Sequence, residues 1–211
     1  MRILFCRIAW MKEYKGASED DMPRHGGNYI VENGEGIEQS NFLPEKVYSG
    51  WEDVSGMVLR GIYNFGVVNT YFWNKKREQY VEKELHLENI KGYTALKNEK
   101  FVPDVLVIWF AKYATHDFRV VGWYRNATVY RCYQNFNGAS YNVLAKTGDC
   151  TLLPVDKRDT ELWNIPNSKY NPLDFGFGHF MVWYAREENE EKEQFVKRLV
   201  HNINNYDKNR R

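Results

Sequence analysis

Apolar residues along the chain recur mostly in short runs, and this pattern predicts more strands than helices. The clearest run covers residues 104–111 (DVLVIWFA) and is rich in β-branched and aromatic residues. A short, continuous apolar run of this kind predicts a central strand that is covered on both faces. The next strand along the chain should lie antiparallel to it. The β-forming segments that predict further strands are residues 3–10, 118–124, 128–133, 141–145 and 180–185.

Less regular segments lie between these strands. Residues 54–63 and 67–73 predict two strands separated by Asn64-Phe65-Gly66, and residues 28–32 predict a short strand after Gly26-Gly27. Turn-forming residues predict loops over residues 11–24, 34–44 and 156–180. The last of these loops is predicted to be an irregular excursion on the surface.

Helical periodicity is confined to two segments. Residues 187–205 predict an amphipathic helix because Phe195, Leu199 and Ile203 recur at every fourth position. The strongly charged residues 75–87 predict a second helix with a narrow apolar stripe. The predicted fold class is therefore α+β. It is a small bent β-barrel with outer helices, including the C-terminal amphipathic helix, in a single domain over residues 1–211.

Composition narrows the function without deciding it. Lys+Arg 29 against Asp+Glu 28 gives a formal net charge of +1, so a basic surface for nucleic acid must be a local patch. Aromatic residues make up 16% of the chain, from 7 Trp, 15 Tyr and 12 Phe. Such a content is typical of a core built from rings, and also of a pocket that stacks a flat ligand; the two interpretations are compatible.

Several classes of protein lack support in the sequence. The phosphate-binding patterns GxxxxGK[ST] and GxGxxG are missing, and so is the nucleophile motif GxSxG. The five histidines and three cysteines have no metal-ligand spacing, which favours reduced cysteines, no metal and no cofactor. No apolar run has the length of a membrane span, and no cleavage site follows the first strand. We therefore predict a cytoplasmic protein with no membrane partner.

A metal-dependent nuclease is the main catalytic alternative. Pro103-Asp104 resembles the first half of a nuclease core, which would need a Glu-x-Lys pair on a neighbouring strand. The sequence has such a pair at Glu190 and Lys192, but within the predicted terminal helix. We accordingly predict no catalytic residues and a protein that is not an enzyme.

The segment from Asp104 to Tyr130 has a recognisable layout: DVLVIWFAKY, a short polar turn, then FRVVGWYRNATVY. This layout resembles the paired central strands of the PUA-like superfamily, especially its EVE and YTH types. In those domains a strand with a central glycine follows the apolar strand, as Val120-Val121-Gly122-Trp123 does here. Glycine at this position predicts the close approach of a neighbouring backbone or of a ligand.

The resemblance implies nucleic-acid binding, of DNA in preference to RNA. EVE-like and YTH-like domains bind a modified base, such as a methylated one, that is flipped out of its strand into an aromatic cage. Such domains often target modification-dependent restriction systems. The partner that the resemblance implies beside the nucleic acid is an effector nuclease or motor subunit.

Candidate site residues follow from position. The base-cage candidates are Trp10, Tyr29, Trp51 and Trp123, with Asn28 or Asn126 reading a base edge. Strand alternation predicts that Trp123 shares a face with Arg119 and Arg125. Alternatively, Trp123 fills the core while the arginines extend outwards. The candidates for phosphate contacts are Lys12, Lys15, Arg24, Arg119, Arg125 and Arg131.

A second function remains open at this stage. The same scaffold could serve as a small-ligand sensor or a protein-interaction module. Its pocket would then be aromatic without a rim of lysine and arginine.

Overall fold

A long antiparallel ribbon dominates the fold, as seen in a computed structural model of the chain. The structure describes residues 1–25, 36–56, 58–94, 98–113, 117–167, 176–177, 180–186 and 189–210. Within these residues the protein is α+β, with eleven strands and two α-helices. The predicted short strand at residues 28–32 lies outside the described residues.

The elements follow one another along the chain with strands first and the long helix last. The helices are α1 (Val155–Arg158) and α2 (Glu190–Arg210). The strands are β1 (Arg2–Ile8), β2 (Pro44–Glu52), β3 (Val58–Gly66), β4 (Tyr71–Asn74), β5 (Gln79–Glu82), β6 (Phe101–Lys112), β7 (Phe118–Phe136), β8 (Ala139–Lys146), β9 (Cys150–Leu152), β10 (Asn164–Ile165) and β11 (Val182–Trp183).

The main sheet has nine strands. Its path runs β11-β1-β6-β7-β8-β3-β2, with β9 and β10 also paired to β7. The β1–β6 pair is parallel and places Ile8 opposite Ala111. The other pairs in the sheet are antiparallel, including β6 with β7, as predicted. The described pairs leave the sheet open, so the predicted barrel is not confirmed.

The predicted central strand is confirmed as β6. Val107 and Trp109 pack into one hydrophobic cluster, and Ile108 and Phe110 pack into another on the opposite face. All four side chains are fully buried. Since neighbouring residues of a strand point to opposite faces, a continuous apolar run is what a strand covered on both sides requires.

Helix α2 covers one of these faces, and its prediction is confirmed. Phe195, Leu199 and Ile203 are buried against the sheet. Trp163 and Phe177 join the same cluster, although both lie in the stretch predicted to be an irregular surface excursion. That expectation was wrong for these two residues, because the excursion returns apolar side chains to the core.

Strand β7 is longer than predicted. The expected strands at residues 118–124 and 128–133 are parts of one strand of 19 residues, which bends through several irregularities in its register with β6 and β8. Asn126 adopts a positive φ of 49° within it. A bulge of this kind lets one strand change direction without ending, so a local interruption of the β pattern was misleading.

The predicted helix at residues 75–87 was wrong. The segment forms the β4–β5 hairpin, in which Tyr80 and Val81 pair with β4. The side chain of Asn74 accepts hydrogen bonds from the backbone N–H groups of Lys76 and Arg77, at 3.0 and 3.3 Å, and Glu78 has a φ of 49°. An asparagine that caps its own turn in this way competes with helix formation.

The predicted break after residue 63 was also wrong. Strand β3 continues through Asn64 and Phe65 to Gly66, where it pairs with β8. A Cβ atom added to Gly66 would lie 2.8 Å from the Trp109 ring and 3.0 Å from the Tyr124 ring. The glycine here therefore allows two large rings to pack against the backbone instead of ending the strand.

Gly122 confirms the prediction of a close approach, and the neighbour is a backbone. A Cβ atom at this position would lie 2.3 Å from the carbonyl oxygen of Thr151 and 2.7 Å from the Phe42 ring. Gly122 pairs with Leu152 of β9. The bare backbone position therefore allows β9 to pack against β7.

Candidate functional site

Two aromatic side chains meet where β1 and β6 end. Trp10 and Tyr113 each lie two residues beyond the register pair Ile8 and Ala111, so the parallel pairing brings them side by side. Their ring centroids are 4.9 Å apart at an interplanar angle of 58°. Trp10 is half-buried and Tyr113 is 36% exposed. Flat, accessible faces at strand ends are suited to contact with a ligand.

Cationic residues lie at the same end of the sheet as this pair, together with Asp159, whose carboxylate accepts a hydrogen bond from the Tyr113 hydroxyl at 3.3 Å. Arg24 is exposed and forms an isolated antiparallel bridge with Trp10, so their side chains leave the backbone on the same face. Partial burial lowers the pKa of the neighbouring His25. Nearby cations lower that pKa further, and they are Lys112, Arg24 and Arg7. We call the group formed by Trp10, Arg24, His25, Lys112 and Tyr113 the Trp10 corner.

A buried arginine packs against the Trp10 ring and bonds the loop that follows it. Arg158 is fully buried, and its guanidinium carbon lies 5.1 Å from the centre of the Trp10 ring. The guanidinium donates to the backbone carbonyls of Leu153, Met11 and Lys12 at 2.8, 2.6 and 2.6 Å. Two of these charge-assisted hydrogen bonds, to Met11 and Lys12, therefore tie the loop after β1 to the segment at Leu153.

The side chains of Asp21 and Tyr14 also form hydrogen bonds with the backbone of this loop. The carboxylate of Asp21 accepts hydrogen bonds from the backbone N–H groups of Lys12 and Glu13 at 2.6 and 2.7 Å. The Tyr14 hydroxyl donates to the carbonyl of Ala9 at 2.7 Å and accepts from the N–H of Met11 at 3.2 Å. Trp10 is therefore presented by a rigid loop, which lowers the entropy that a ligand must overcome.

The predicted role of Trp123 is not compatible with its position. Trp123 is fully buried; it stacks on Trp163 at 5.4 Å and contacts Tyr206 of α2 edge-on at 5.5 Å. Its indole N–H donates to Asp207 at 3.3 Å. The alternative in which Trp123 fills the core is therefore the one that the structure supports.

Trp123 and Arg125 share a face, as predicted, since both donate to Asp207; a bulge explains why Arg119 does not share it. Trp109 lies opposite Gly122 while Phe110 lies opposite Val120, so strict alternation fails between these two pairs. As a result Trp123 faces the α2 side of the sheet, whereas Arg119 pairs with Ala111, which packs on the other side.

The three arginines predicted on β7 have partners within the protein. Arg119 donates to Asn164 at 2.7 Å and forms ion pairs with Asp117 and Asp159 at 3.9 and 3.6 Å.

The other two arginines of β7 are held in the same way. Arg125 donates to Asp207 at 2.5 Å and to Asn204 at 2.7 Å. Arg131 donates to Glu88 at 3.0 Å and to the carbonyl of Glu99 at 2.8 Å. All three arginines thus hold elements together, and the structure does not offer them for phosphate contacts.

The remaining predicted residues are distributed over the surface. Lys12 and Lys15 are exposed on the loop after Trp10, and Lys15 pairs with Glu13 at 2.9 Å. Asn126 is exposed and donates to Asp149 at 3.2 Å. Trp51 is half-buried and packs edge-on against Phe136 at 4.8 Å, away from the Trp10 corner. Asn28 and Tyr29 lie outside the described residues.

Sequence reasoning missed Tyr113, Lys112 and His25 as site residues. Nothing in the local pattern around Tyr113 shows that its strand runs parallel to β1. Tyr113 comes to lie beside Trp10 only through the parallel pairing of β1 with β6, which joins residues about a hundred positions apart.

A second feature of the surface is a cleft with a volume of about 540 Å³. It lies between residues 36–45 and the strands β3, β7 and β8, and we call it the Tyr133 cleft. Its aromatic walls are Phe65, Tyr71, Tyr133 and Phe136. Glu45 is the only charged residue among the described residues that line it.

The described residues show neither a metal-binding cluster nor a membrane-spanning helix. Their His, Cys, Asp and Glu side chains form no cluster of three or more that is arranged to hold a metal ion. Asp104, the carboxylate of the nuclease alternative, forms an ion pair with Arg2 at 3.6 Å. The helices in this part of the chain lack the length and apolar character needed to span a membrane.

Comparison with known proteins gave no match: no family model, no curated protein and no solved structure matches the chain.

Proposed function

We propose that the protein is a nucleic-acid-binding module of the PUA-like type, related to EVE and YTH domains. In this proposal it recognises a modified, methylated base that is flipped out of DNA and held at the Trp10 corner. It would act as the targeting domain of a modification-dependent restriction system, with a separate nuclease or motor subunit as effector. The barrel of the PUA-like fold belongs to the proposal as well, since the described sheet is open.

The observation that carries the proposal is that two rings and Arg24 meet where β1 and β6 end, with Lys112 and Arg7 on the adjacent face of the sheet. Trp10 and Tyr113 offer aromatic faces, and Lys112, Arg24 and Arg7 all act on the same imidazole, that of His25. A base that leaves its stack loses a few kcal/mol, and stacking on a protein ring returns about 1–3 kcal/mol. Lysine and arginine contacts to phosphate supply the sequence-independent part of the affinity.

The loop after Trp10 contributes two exposed lysines, beside the exposed acids Glu13, Glu19 and Asp20. Lys12 and Lys15 lie on this loop, and the pair between Lys15 and Glu13 is exposed to solvent. Exposed pairs contribute little, about 0.2–1 kcal/mol, so Lys15 can exchange Glu13 for a phosphate at small cost. The proposal therefore rests on Lys12, Lys15, Arg24 and Lys112, and the arginines of β7 have structural roles.

The test is fluorescence anisotropy with labelled duplexes that carry N6-methyladenine, 5-methylcytosine or no modification. We expect one modified duplex to bind more tightly, by about fourfold from burial of one methyl group alone. Affinity should fall steeply as salt rises from about 50 to 200 mM, and Arg24→Ala should reduce the salt slope by about 1. The same oligonucleotides as RNA test the preference for DNA.

Two variants separate a ligand-contacting ring from a core ring. Trp10→Ala should reduce affinity about tenfold or more, because one stacked ring is lost, while the protein stays folded. Trp123→Ala should instead lower the free energy of unfolding by about 3–5 kcal/mol. Tyr71→Ala removes an exposed ring outside the Trp10 corner and should leave DNA affinity unchanged. The proposal fails if wild-type protein binds none of the duplexes at low salt, or if Trp10→Ala binds as tightly as wild type.

A further inference from the structure

We propose that the Tyr133 cleft is a second binding site, distinct from the Trp10 corner, for an uncharged planar heterocycle such as a nucleobase or nucleoside without phosphate. Its volume of about 540 Å³ lies within the range of small-molecule sites, about 300–1,000 Å³. This inference does not depend on the proposed function, because none of the residues of the Trp10 corner lines the cleft.

The walls of the cleft present two pairs of parallel rings. Tyr71 and Tyr133 stack with centroids 5.3 Å apart at 19°, and Phe65 and Phe136 stack at 4.7 Å and 5°. Tyr71 is 44% exposed, so part of its pair is open to a ligand. Flat faces of this kind select a flat ligand, because stacking depends on overlap of the two planes.

One of these rings is fixed before any ligand arrives. The Tyr133 hydroxyl donates to the carbonyl of Val68 and accepts from the backbone N–H of Thr70, both at 3.0 Å. Asn41, at the base of the cleft, is fully buried, and its side chain bonds both the carbonyl and the N–H of Val67, at 3.0 and 2.9 Å. A ligand therefore meets a wall that needs no reordering.

The polar lining points to a ligand that carries an N–H donor. Gln39 lines the cleft, and its side-chain oxygen Oε1 is shielded from solvent without a hydrogen-bond partner among the described residues. A buried acceptor without a donor costs about 1–3 kcal/mol, which a ligand N–H would recover once the Gln39 side chain turns its oxygen towards the cleft. The other polar side chains of the lining are uncharged apart from Glu45: Ser40, Asn41, Asn137 and Ser140.

The charge of the lining excludes phosphate. Neither lysine nor arginine occurs among the described lining residues, and the carboxylate of Glu45 repels an anion. The free base or nucleoside is therefore favoured over the corresponding nucleotide, and over the same base within a strand.

The test is isothermal titration of the full chain with a panel of nucleosides, their free bases and their 5′-monophosphates. The nucleosides are adenosine, N6-methyladenosine, cytidine, 5-methylcytidine and guanosine. We expect saturable binding of at least one base or nucleoside with a Kd below about 1 mM, and binding of its monophosphate weaker by about tenfold or more. An oligonucleotide that contains the same base tests whether the cleft prefers the free base to a base within a strand. If the oligonucleotide binds at the cleft as tightly as the free base, or more tightly, the proposal is overturned.

Variants assign the binding to the cleft. Ser140→Trp fills it and should abolish binding, whereas Ile62→Trp places the same ring on an exposed strand position outside it and should not. Tyr71→Ala should weaken binding about tenfold. Gln39→Leu should weaken binding without lowering the stability of the free protein, because the oxygen that it removes is unpaired.

Two results would overturn the proposal. The first is that folded wild-type protein binds none of the panel at about 1 mM. The second is that binding persists in both Ser140→Trp and Tyr71→Ala. Trp10→Ala should bind the nucleoside as wild type does, so failure at the cleft and failure at the Trp10 corner remain distinguishable.

Discussion

Replacing Gly122 by alanine tests the close packing of β9 against β7. The added Cβ would lie 2.3 Å from the Thr151 carbonyl oxygen, a distance that real Cβ atoms essentially never show. Restoring an ordinary contact of about 3.4 Å requires β9 to move by about 1 Å, because the obstacle is backbone and has no alternative rotamer. The φ of Gly122 is not in the left-handed region, so the effect is steric.

The expected cost follows from this displacement. Overpacking of a filled core costs about 1–3 kcal/mol, and weakening one β7–β9 hydrogen bond adds about 1 kcal/mol. We therefore expect Gly122→Ala to lower the free energy of unfolding by about 2–4 kcal/mol. This is a large fraction of the 5–15 kcal/mol that is typical of native proteins.

The assay is urea unfolding followed by tryptophan fluorescence, with the midpoint shifting at constant m-value. Gly148→Ala is the matched control, because nothing lies within 4 Å of its added Cβ, and it should change stability by less than about 0.5 kcal/mol. If the two variants unfold at the same midpoint, β9 does not pack against Gly122 as described and the steric reasoning is refuted.

Three further predictions concern polar contacts within the fold and the charge at the Trp10 corner. Arg158→Met should cost about 3 kcal/mol in thermal unfolding, since two buried carbonyls and one partly buried carbonyl lose their donor. Asp207→Ala should cost about 2 kcal/mol in urea unfolding, because Arg125 and the Trp123 indole lose their shared acceptor. DNA affinity should rise as pH falls from about 8 to 6: bound phosphate offsets the cations that lower the pKa of His25, so binding takes up a proton, and His25→Ala should remove this dependence.

Each of these predictions has a contrary outcome. An Arg158→Met variant with wild-type stability would mean that the loop after β1 is held by other contacts. An unchanged midpoint for Asp207→Ala would mean that α2 is held by its apolar face alone. Affinity that does not change with pH, measured by anisotropy in buffers of constant ionic strength, would mean that His25 does not sense the bound phosphate.

The parts of the fold that could be predicted are those where one local pattern dominates. The central strand β6 and the helix α2 were found because apolar runs and four-residue spacing have few alternative explanations. The helix predicted at residues 75–87 was wrong because Asn74 and Glu78 favour a turn, and turn chemistry overrides a weak apolar stripe.

The candidate site was harder to predict, for a physical reason. Trp10 and Arg24 were identified because both lie at loop ends, where ligands bind. Tyr113 and Lys112 were missed because they join the corner through a parallel pairing of distant strands. Trp123 was misplaced because a bulge at Val121 reverses the faces of the residues up to Asn126, where a second irregularity restores the alternation, and the sequence of β7 reveals neither.

The position of β1 in the sheet has a consequence for synthesis of the chain. Its neighbours are β6 and β11, and Arg158, which fixes the following loop, lies 147 residues from Met11. At about 5–20 residues per second, the first strand leaves the ribosome about 5–20 s before β6 does. Throughout that interval an apolar strand with two unpaired edges has no sheet partner, and folding dominated by such distant contacts is slow. A nascent chain arrested before β6 should therefore be a strong chaperone client, and release of the chaperone should coincide with emergence of β6.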